Sequence, residues 1–226
     1  MSDAEKTESH GSKFSDLFGN LELVIAILLG LVSIATAYAS FQGALYDSMM
    51  AGSYATGTQK AAEAESLYLE GNQQFMQDTQ VFNQLSELQV GIDNGEVLAQ
   101  EKYDTLYFQG VSEEFGAAID RAAAQTEADA EFFYSPLDDE DYQSFLFTSY
   151  ADMKAEATAT TEQGNEYNSL SDKLTLYTVL MTIALFLLGI AAVVRQVRTQ
   201  IILSSVAVVI FGVSAVLTAM VPAITL

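Results

Sequence analysis

"LYTVLMTIALFLLGIAAVVRQVRTQIILSSVAVVI", residues 176–210, places two long apolar runs on either side of a short basic loop. The first run is uncharged for 21 residues, from Leu174 to Val194, and the second for 28 residues, from Thr199 to Leu226. A third uncharged run of 24 residues extends from Leu23 to Tyr46. Because a helix of about 20 residues crosses the hydrocarbon core of a bilayer, the sequence predicts three transmembrane helices.

The two arginines in this loop predict the orientation of the chain in the membrane. Arg195 and Arg198 are two of only nine basic residues, and no acid accompanies them in the loop. Short loops rich in Lys and Arg stay in the cytoplasm. We therefore expect Arg195 and Arg198 to be topology anchors of a multi-pass protein of the plasma membrane. The N-terminus then lies in the cytoplasm, and residues 41–173 and the C-terminus lie outside.

These runs divide the chain into seven segments of an all-α integral membrane protein. They are a cytoplasmic tail with a possible short interfacial helix (1–20), the first span (21–46), an acidic extracytoplasmic helical domain (47–173), the second span (174–194), a cytoplasmic loop (195–199), the third span (200–221) and an extracytoplasmic tail (222–226).

The domain between the first two spans has the pattern of a helical hairpin or small bundle. Val81, Leu85, Leu88 and Ile92 form an amphipathic seam, and "GIDNG" at 91–95 predicts a turn after it. A second helical stretch is expected from about Glu96 to residue 133. "YSPLDDED" at 134–141 predicts another turn, in which Asp138 or Asp139 caps a helix that continues into the second span.

The charge of this region excludes some partners. Residues 41–173 hold 25 acids and five bases, a net charge of −20. Such a segment repels polyanions, so a nucleic acid is not an expected partner. The acidity is suited either to binding cations or to a saline exterior, and both interpretations stay open.

The sequence shows no motif for catalysis or for a cofactor. It has no cysteine and one histidine, and "DDED" at 138–141 lacks the spacing of a calcium-binding loop. We therefore expect no catalytic residue, no metal site and no cofactor, and we expect a protein that is not an enzyme.

Small residues in the first span predict a helix-packing face. Ala26, Gly30, Ser33 and Ala37 lie along one side of the helix, and small residues let another helix approach closely. The partners expected are the lipid bilayer, further copies of the chain and other membrane proteins. "AYAS" at 37–40 allows the alternative of a signal peptide, but the long apolar run and the acidic N-terminal region favour a retained span.

Hydroxyl groups in the second span allow a second function. Thr175, Thr178 and Thr182 share a helical face and could line the pore of an oligomeric cation channel with an acidic outer vestibule. Their ordinary role is to bond the preceding turn or a neighbouring helix.

Three stretches carry a resemblance to a known type of protein: "ATAYASFQGALYDS" at 35–48, "SPLDDEDYQSF" at 135–145 and "LYTVLMTIALFLLGIAAVVR" at 176–195. With these the chain resembles uncharacterised prokaryotic three-span membrane proteins, which have one N-terminal and two C-terminal transmembrane helices and are known as hypothetical proteins or domains of unknown function. The resemblance implies the architecture and supplies no catalytic residues. The function we expect is a non-enzymatic, oligomeric assembly, accessory or sensing component that acts through its acidic outer domain.

Overall fold

A computed structural model describes residues 5–129 and 131–225 of the chain, with side chains from residue 21 onward. Within these ranges the chain is helical and forms no β-strand. Its elements are α1 (Glu5–Asp93), α2 (Ala99–Gly110), α3 (Glu113–Ala128), a short 3-10 helix (Pro136–Asp138), α4 (Glu140–Val193) and α5 (Val197–Ala219). Three of them, α1, α4 and α5, hold an apolar stretch long enough to cross a membrane. The all-helical fold class and the three apolar helices are thus confirmed.

The chain divides into two compact units. The membrane unit consists of Met1–Ser53 and Glu162–Leu226, and the middle unit consists of Tyr54–Thr161. Each unit contains part of α1 and part of α4. The two units are described separately below.

The core of the membrane unit repeats every seven residues on each of its helices. The buried positions seven residues apart are Ile25, Val32, Ala39 and Tyr46 on α1, Leu174, Met181 and Leu188 on α4, and Gln200, Ala207 and Ser214 on α5, and a second set that includes Ala184, Ala191, Ser204 and Thr218 lies between them. A seven-residue spacing keeps side chains on the shared face of helices that wind around one another with a left-handed twist. The outward positions carry large apolar side chains such as Ile34, Phe186 and Val209, as a surface in contact with lipid requires.

In the middle unit, two glycines let α1 and α4 approach closely. From Gly57 to Leu85 the buried positions of α1 are again seven residues apart: Gly57, Ala64, Gly71, Asp78 and Leu85. A Cβ atom on Gly71 would lie 2.7 Å from the carbonyl oxygen of Leu146, and one on Gly57 would lie 2.5 Å from the Thr161 hydroxyl oxygen. Both distances are shorter than van der Waals contact. The Leu146 oxygen belongs to the backbone, so a side chain at Gly71 requires the helices to move apart, whereas the Thr161 hydroxyl can rotate away from a side chain at Gly57.

The prediction of one helical stretch from Glu96 to residue 133 is wrong, because the chain breaks at Val111 and Ser112 into α2 and α3 and α3 ends at Ala128. The Ser112 hydroxyl accepts a hydrogen bond from the backbone N–H of Phe115 at 3.2 Å and so caps α3. The new helix places Phe115, which is fully buried, in a core with Ala118, Tyr142 and Leu146. The apolar contacts of Phe115 favour the break over a continuous helix.

Other predicted boundaries are close to the observed ones. α1 ends inside the predicted 91–95 turn, where Gly95 has a φ of 77°. The predicted 195–199 loop is shorter than expected, because the backbone N–H of Gln200 bonds to the carbonyl of Gln196 at 3.0 Å and starts α5 at Val197. α5 ends at Ala219, three residues before Pro222, which cannot continue a helix. The side chains of the predicted interfacial helix in residues 1–20 lie outside the described residues.

Candidate functional site

The predicted packing face of the first span is on the surface of the membrane unit. Ala26, Gly30, Ser33 and Ala37 are all exposed, and a Cβ atom on Gly30 would meet nothing within 4 Å. The Ser33 hydroxyl donates to the carbonyl of Leu29, one turn back in the same helix. The described residues of the chain leave this face uncovered, so any packing against it must come from another molecule.

The three predicted pore-face threonines lie in different environments. Thr175 and Thr182 are exposed, and the Thr182 hydroxyl donates to the carbonyl of Thr178 at 2.9 Å. Thr178 is partly buried, and its hydroxyl oxygen has no hydrogen-bond partner among the described residues. The membrane unit therefore encloses one of the three hydroxyls and leaves the other two on its surface.

The two predicted topology anchors lie at the turn between α4 and α5. Arg195 is in the turn and Arg198 is in the first turn of α5, and both side chains are exposed. Neither forms an ion pair within the part of the chain that the structure describes. Exposed, unpaired arginines are free to contact lipid headgroups or water, as the proposed anchoring role requires.

The inner face of α5 is more polar than its outer face. Gln200, Ser204, Ser214 and Thr218 are buried there, whereas Ile202, Val209 and Val216 are exposed. The side-chain oxygens of Gln200 and Ser204 have no partner among the described residues. A polar buried face and an apolar exposed face are the reverse of a helix in a water-soluble protein. They are typical of a helix in lipid, where small polar residues mediate helix contacts and large apolar residues face the hydrocarbon.

The C-terminal segment is attached to α1 by a pair of hydrogen bonds that sequence reasoning missed. The Gln42 amide donates to the Ile224 carbonyl at 3.1 Å and accepts from the Ile224 N–H at 2.9 Å. The Tyr46 hydroxyl donates to the Pro222 carbonyl at 2.7 Å. Residues 222–224 and residues 42–46 therefore lie at the same end of the membrane unit.

A buried carboxylate is the main polar feature in the core of the middle unit. Asp78 is 1% exposed, and one of its oxygens accepts a hydrogen bond from the Tyr142 hydroxyl at 2.6 Å. The Gln74 amide lies 3.0 and 3.1 Å from the two carboxylate oxygens. No Lys or Arg of the described chain pairs with it. The carboxylate is thus held by two neutral donors in an apolar surrounding.

Aromatic rings enclose this carboxylate and its tyrosine. The ring centroid of Tyr142 is 5.1 Å from that of Phe115, which is 6.3 Å from the ring of Phe82 at nearly a right angle. Burial, and then the hydrogen bond to Asp78, raise the pKa of the Tyr142 hydroxyl far above its usual value of 10.0. Tyr142 therefore remains a protonated donor, and it is a fixed structural link between α1 and α4 rather than a general base.

A second charged group fixes the start of α4 within the middle unit. Arg121 of α3 donates two hydrogen bonds to Asp139, at 2.9 Å from its Nε atom and 2.5 Å from a terminal nitrogen. One Asp139 oxygen also accepts the backbone N–H of Tyr142 at 2.9 Å, so Asp139 caps α4 as predicted. The Arg121 hydrogen bonds, helped by that backbone bond, lower the pKa of Asp139 to about 2. The carboxylate is therefore ionised at neutral pH.

Two adjoining clefts open beside this ion pair. The apolar cleft, of about 410 Å³, is lined by Phe82, Ile119, Ala122, Phe133, Tyr134 and Pro136, with Glu127 as its one charged residue. The acidic cleft, of about 560 Å³, is lined by Arg121, Asp138, Asp139, Glu140 and Asp141. Ala122, Phe133 and Tyr134 belong to both clefts, so the two share a wall. Apolar surface and charge therefore meet here in a concave site.

Part of this site could have been recognised in the sequence. Asp78 is seven residues before Leu85, so it extends the predicted seam by one heptad and puts an acid at a core position. The pairing of Asp78 with Tyr142, 64 residues away, depends on how α1 and α4 align and leaves no trace in the local sequence. Among the described residues, no group of three or more His, Cys, Asp or Glu side chains is placed so that it could hold a metal ion.

The chain was compared with known proteins, and no family model, curated protein or solved structure matches it.

Proposed function

We propose that the chain is a non-enzymatic, oligomeric component of a plasma membrane, and that its middle unit binds a partner or ligand outside the cytoplasm in an assembly, accessory or sensing role. It would belong with the three-span prokaryotic membrane proteins that it resembles in sequence. The proposal needs a water-exposed middle unit, and the charge of that unit supports this requirement. Residues 54–161 hold four bases and 21 acids, a net charge of −17, which is compatible with water and not with hydrocarbon.

The observation that carries the proposal is a group of aromatic side chains left in contact with solvent on this acidic unit. Phe133 is 75% exposed and Phe132 63% exposed, and Phe133 forms part of the wall of both clefts. Large apolar side chains grouped around a concave site on a water-soluble surface mark a binding site.

Oligomerisation is proposed through the exposed small-residue face of α1. The membrane unit offers a matched comparison, because Gly30 and Gly212 both have open space where a Cβ atom would be. Gly30→Leu should lower the oligomer fraction in detergent, measured by light scattering after gel filtration, and Gly212→Leu should not. Equal effects of the two substitutions would show that the face of Gly30 has no special role.

Single-cysteine labelling tests the orientation. The chain has no native cysteine, so a cysteine at Gln125 in the middle unit and one at Thr199 beside the anchoring arginines can be compared directly. An impermeant maleimide added to intact cells should label position 125 and not position 199. Labelling at 199 alone would put the middle unit in the cytoplasm and contradict the proposed function.

The cation channel stays the alternative function. Thr175 and Thr182 are on the surface of the single chain, so they could line a water-filled path only between copies. Recordings from the purified oligomer in planar bilayers test this alternative: cation currents that Thr182→Val reduces would support it, and silent bilayers would remove it.

A further inference from the structure

The apolar cleft has the size and lining of a small-molecule site. Its volume of about 410 Å³ lies within the range of about 300–1,000 Å³ typical of ligand pockets. Ile119, Ala122 and Pro136 supply aliphatic surface, and Phe82 and Phe133 supply aromatic surface. An occupant of this cleft therefore has an apolar or aromatic body.

The acidic cleft next to it selects the charge of the occupant. Its one base, Arg121, is bonded to Asp139 and lies 3.7 Å from Asp141. The lining holds four carboxylates against that single guanidinium, so it has a net charge of −3. A cation placed there gains from this excess of negative charge, and an anion is repelled.

Because the two clefts share a wall, one ligand can have both the apolar body and the positive charge that they favour. Phe133 and Tyr134 border both clefts, so a molecule that occupies the apolar cleft and reaches past these two rings would place its other end in the acidic cleft. Aromatic faces attract cations, and quaternary or alkylated ammonium groups are the ligands that such surroundings suit best.

We propose that the middle unit binds a small organic cation with an apolar body, an amine or quaternary ammonium compound, with the body in the apolar cleft and the charged group in the acidic cleft. This inference rests on the proposed function and specifies its ligand. A free small molecule fits better than a polypeptide, because the apolar cleft is a single concavity of small-molecule size between α1, α3 and the 131–136 segment.

Isothermal titration of the full chain in nanodiscs of neutral lipid tests the proposal. The probe is benzyltrimethylammonium, compared with tetramethylammonium, which lacks the apolar body, and benzyl alcohol, which lacks the charge. We use the lowest salt concentration at which circular dichroism retains the helical signal, and protein-free nanodiscs give the background. Benzyltrimethylammonium should bind at least about tenfold more tightly than either comparison compound, since each lacks one of the two contributions.

Variants locate the site. Asp138→Asn combined with Glu140→Gln should weaken benzyltrimethylammonium binding about tenfold, and Phe133→Ala should weaken it by about three- to tenfold. Asp152→Asn, an exposed acid of the same unit that lines neither cleft, should leave binding unchanged. Retained thermal midpoints exclude unfolding as the cause of any loss.

Several results would overturn the inference. Equal affinity for benzyltrimethylammonium and tetramethylammonium would mean that the acids alone attract cations. Tighter binding of a long polypeptide that contains Phe and Lys than of benzyltrimethylammonium would identify a polypeptide as the occupant. Absence of benzyltrimethylammonium binding by the folded chain would remove the proposed ligand class, whereas the orientation and oligomer experiments above test the proposed function independently of it.

Discussion

Substitution of Tyr142 by Phe isolates the hydrogen bond that holds the buried Asp78. The ring remains, with its centroid 5.1 Å from that of Phe115, so the apolar packing is retained. What is lost is the 2.6 Å bond from the hydroxyl to a carboxylate that is 1% exposed and keeps only the Gln74 amide as a donor. A buried hydrogen bond to a carboxylate contributes about 1.5–3 kcal/mol. At about 2–4 °C per kcal/mol for a chain of this length, the thermal midpoint should fall by about 3–12 °C.

Thermal unfolding of the full chain in detergent, followed by circular dichroism, measures this shift. Tyr68→Phe is the matched control, because the Tyr68 side chain is 41% exposed and should tolerate loss of its hydroxyl. Asp78→Asn should cost less free energy in the Tyr142→Phe background than in the native chain, since the two side chains share one bond. If Tyr142→Phe unfolds at the same temperature as Tyr68→Phe, or if the Asp78→Asn effect is the same in both backgrounds, Tyr142 does not hold Asp78.

Three further predictions concern other contacts in the two units. Gly71→Ala should lower the thermal midpoint, because the new Cβ atom would lie 2.7 Å from a backbone oxygen. Gly52→Ala has open space around the new Cβ atom and should raise the midpoint, because alanine favours the helix over glycine by about 1 kcal/mol. The pKa of Asp139 is lowered from 3.8 to about 2, so its contribution to stability is present above about pH 4 and is lost as the pH falls towards 2. In an acid titration followed by circular dichroism, Asp139→Asn should therefore remove the loss of stability between these two pH values. Gln42→Leu should accelerate hydrogen exchange at the Ile224 amide, measured by mass spectrometry, and leave exchange in the middle of α5 unchanged. An unchanged rate at Ile224 would contradict the observed pairing.

The sequence predicts this fold well where composition decides it. Runs of more than 20 uncharged residues have few alternatives to a membrane helix, so α5 and the apolar parts of α1 and α4 are recognised from length alone. The Asp139 cap can also be predicted from the local sequence, because it requires only an acid three residues before Tyr142, whose N–H it accepts. The break between α2 and α3 also has a local signal, because Ser112 caps α3 by accepting the N–H three residues on. The burial of Phe115 against α1 and α4, which favours the same break, depends on tertiary packing.

The candidate site is less predictable for the same reason. Its two clefts combine residues from α1, α3, the segment before α4 and the first turn of α4, and their shared wall depends on how those elements pack. The acids of "DDED" are visible in the sequence, but only the fold shows that Arg121 binds Asp139 and lies 3.7 Å from Asp141, so that one guanidinium faces four carboxylates. Similarly, the heptad position of Asp78 indicates a buried acid without identifying Tyr142 as its donor.

The bond between Gln42 and Ile224 has a consequence for the biogenesis of the membrane unit. The two residues are 182 positions apart, and ribosomes add about 5–20 residues per second, so about 10–40 s separate their synthesis. During this interval the first span can enter the bilayer while the Gln42 amide still lacks its partner. Water, a lipid headgroup or a component of the insertion machinery must satisfy that amide until Ile224 replaces it. Nascent chains halted before this residue should therefore present an unfilled amide at the membrane border, a feature by which quality control could distinguish them from finished protein.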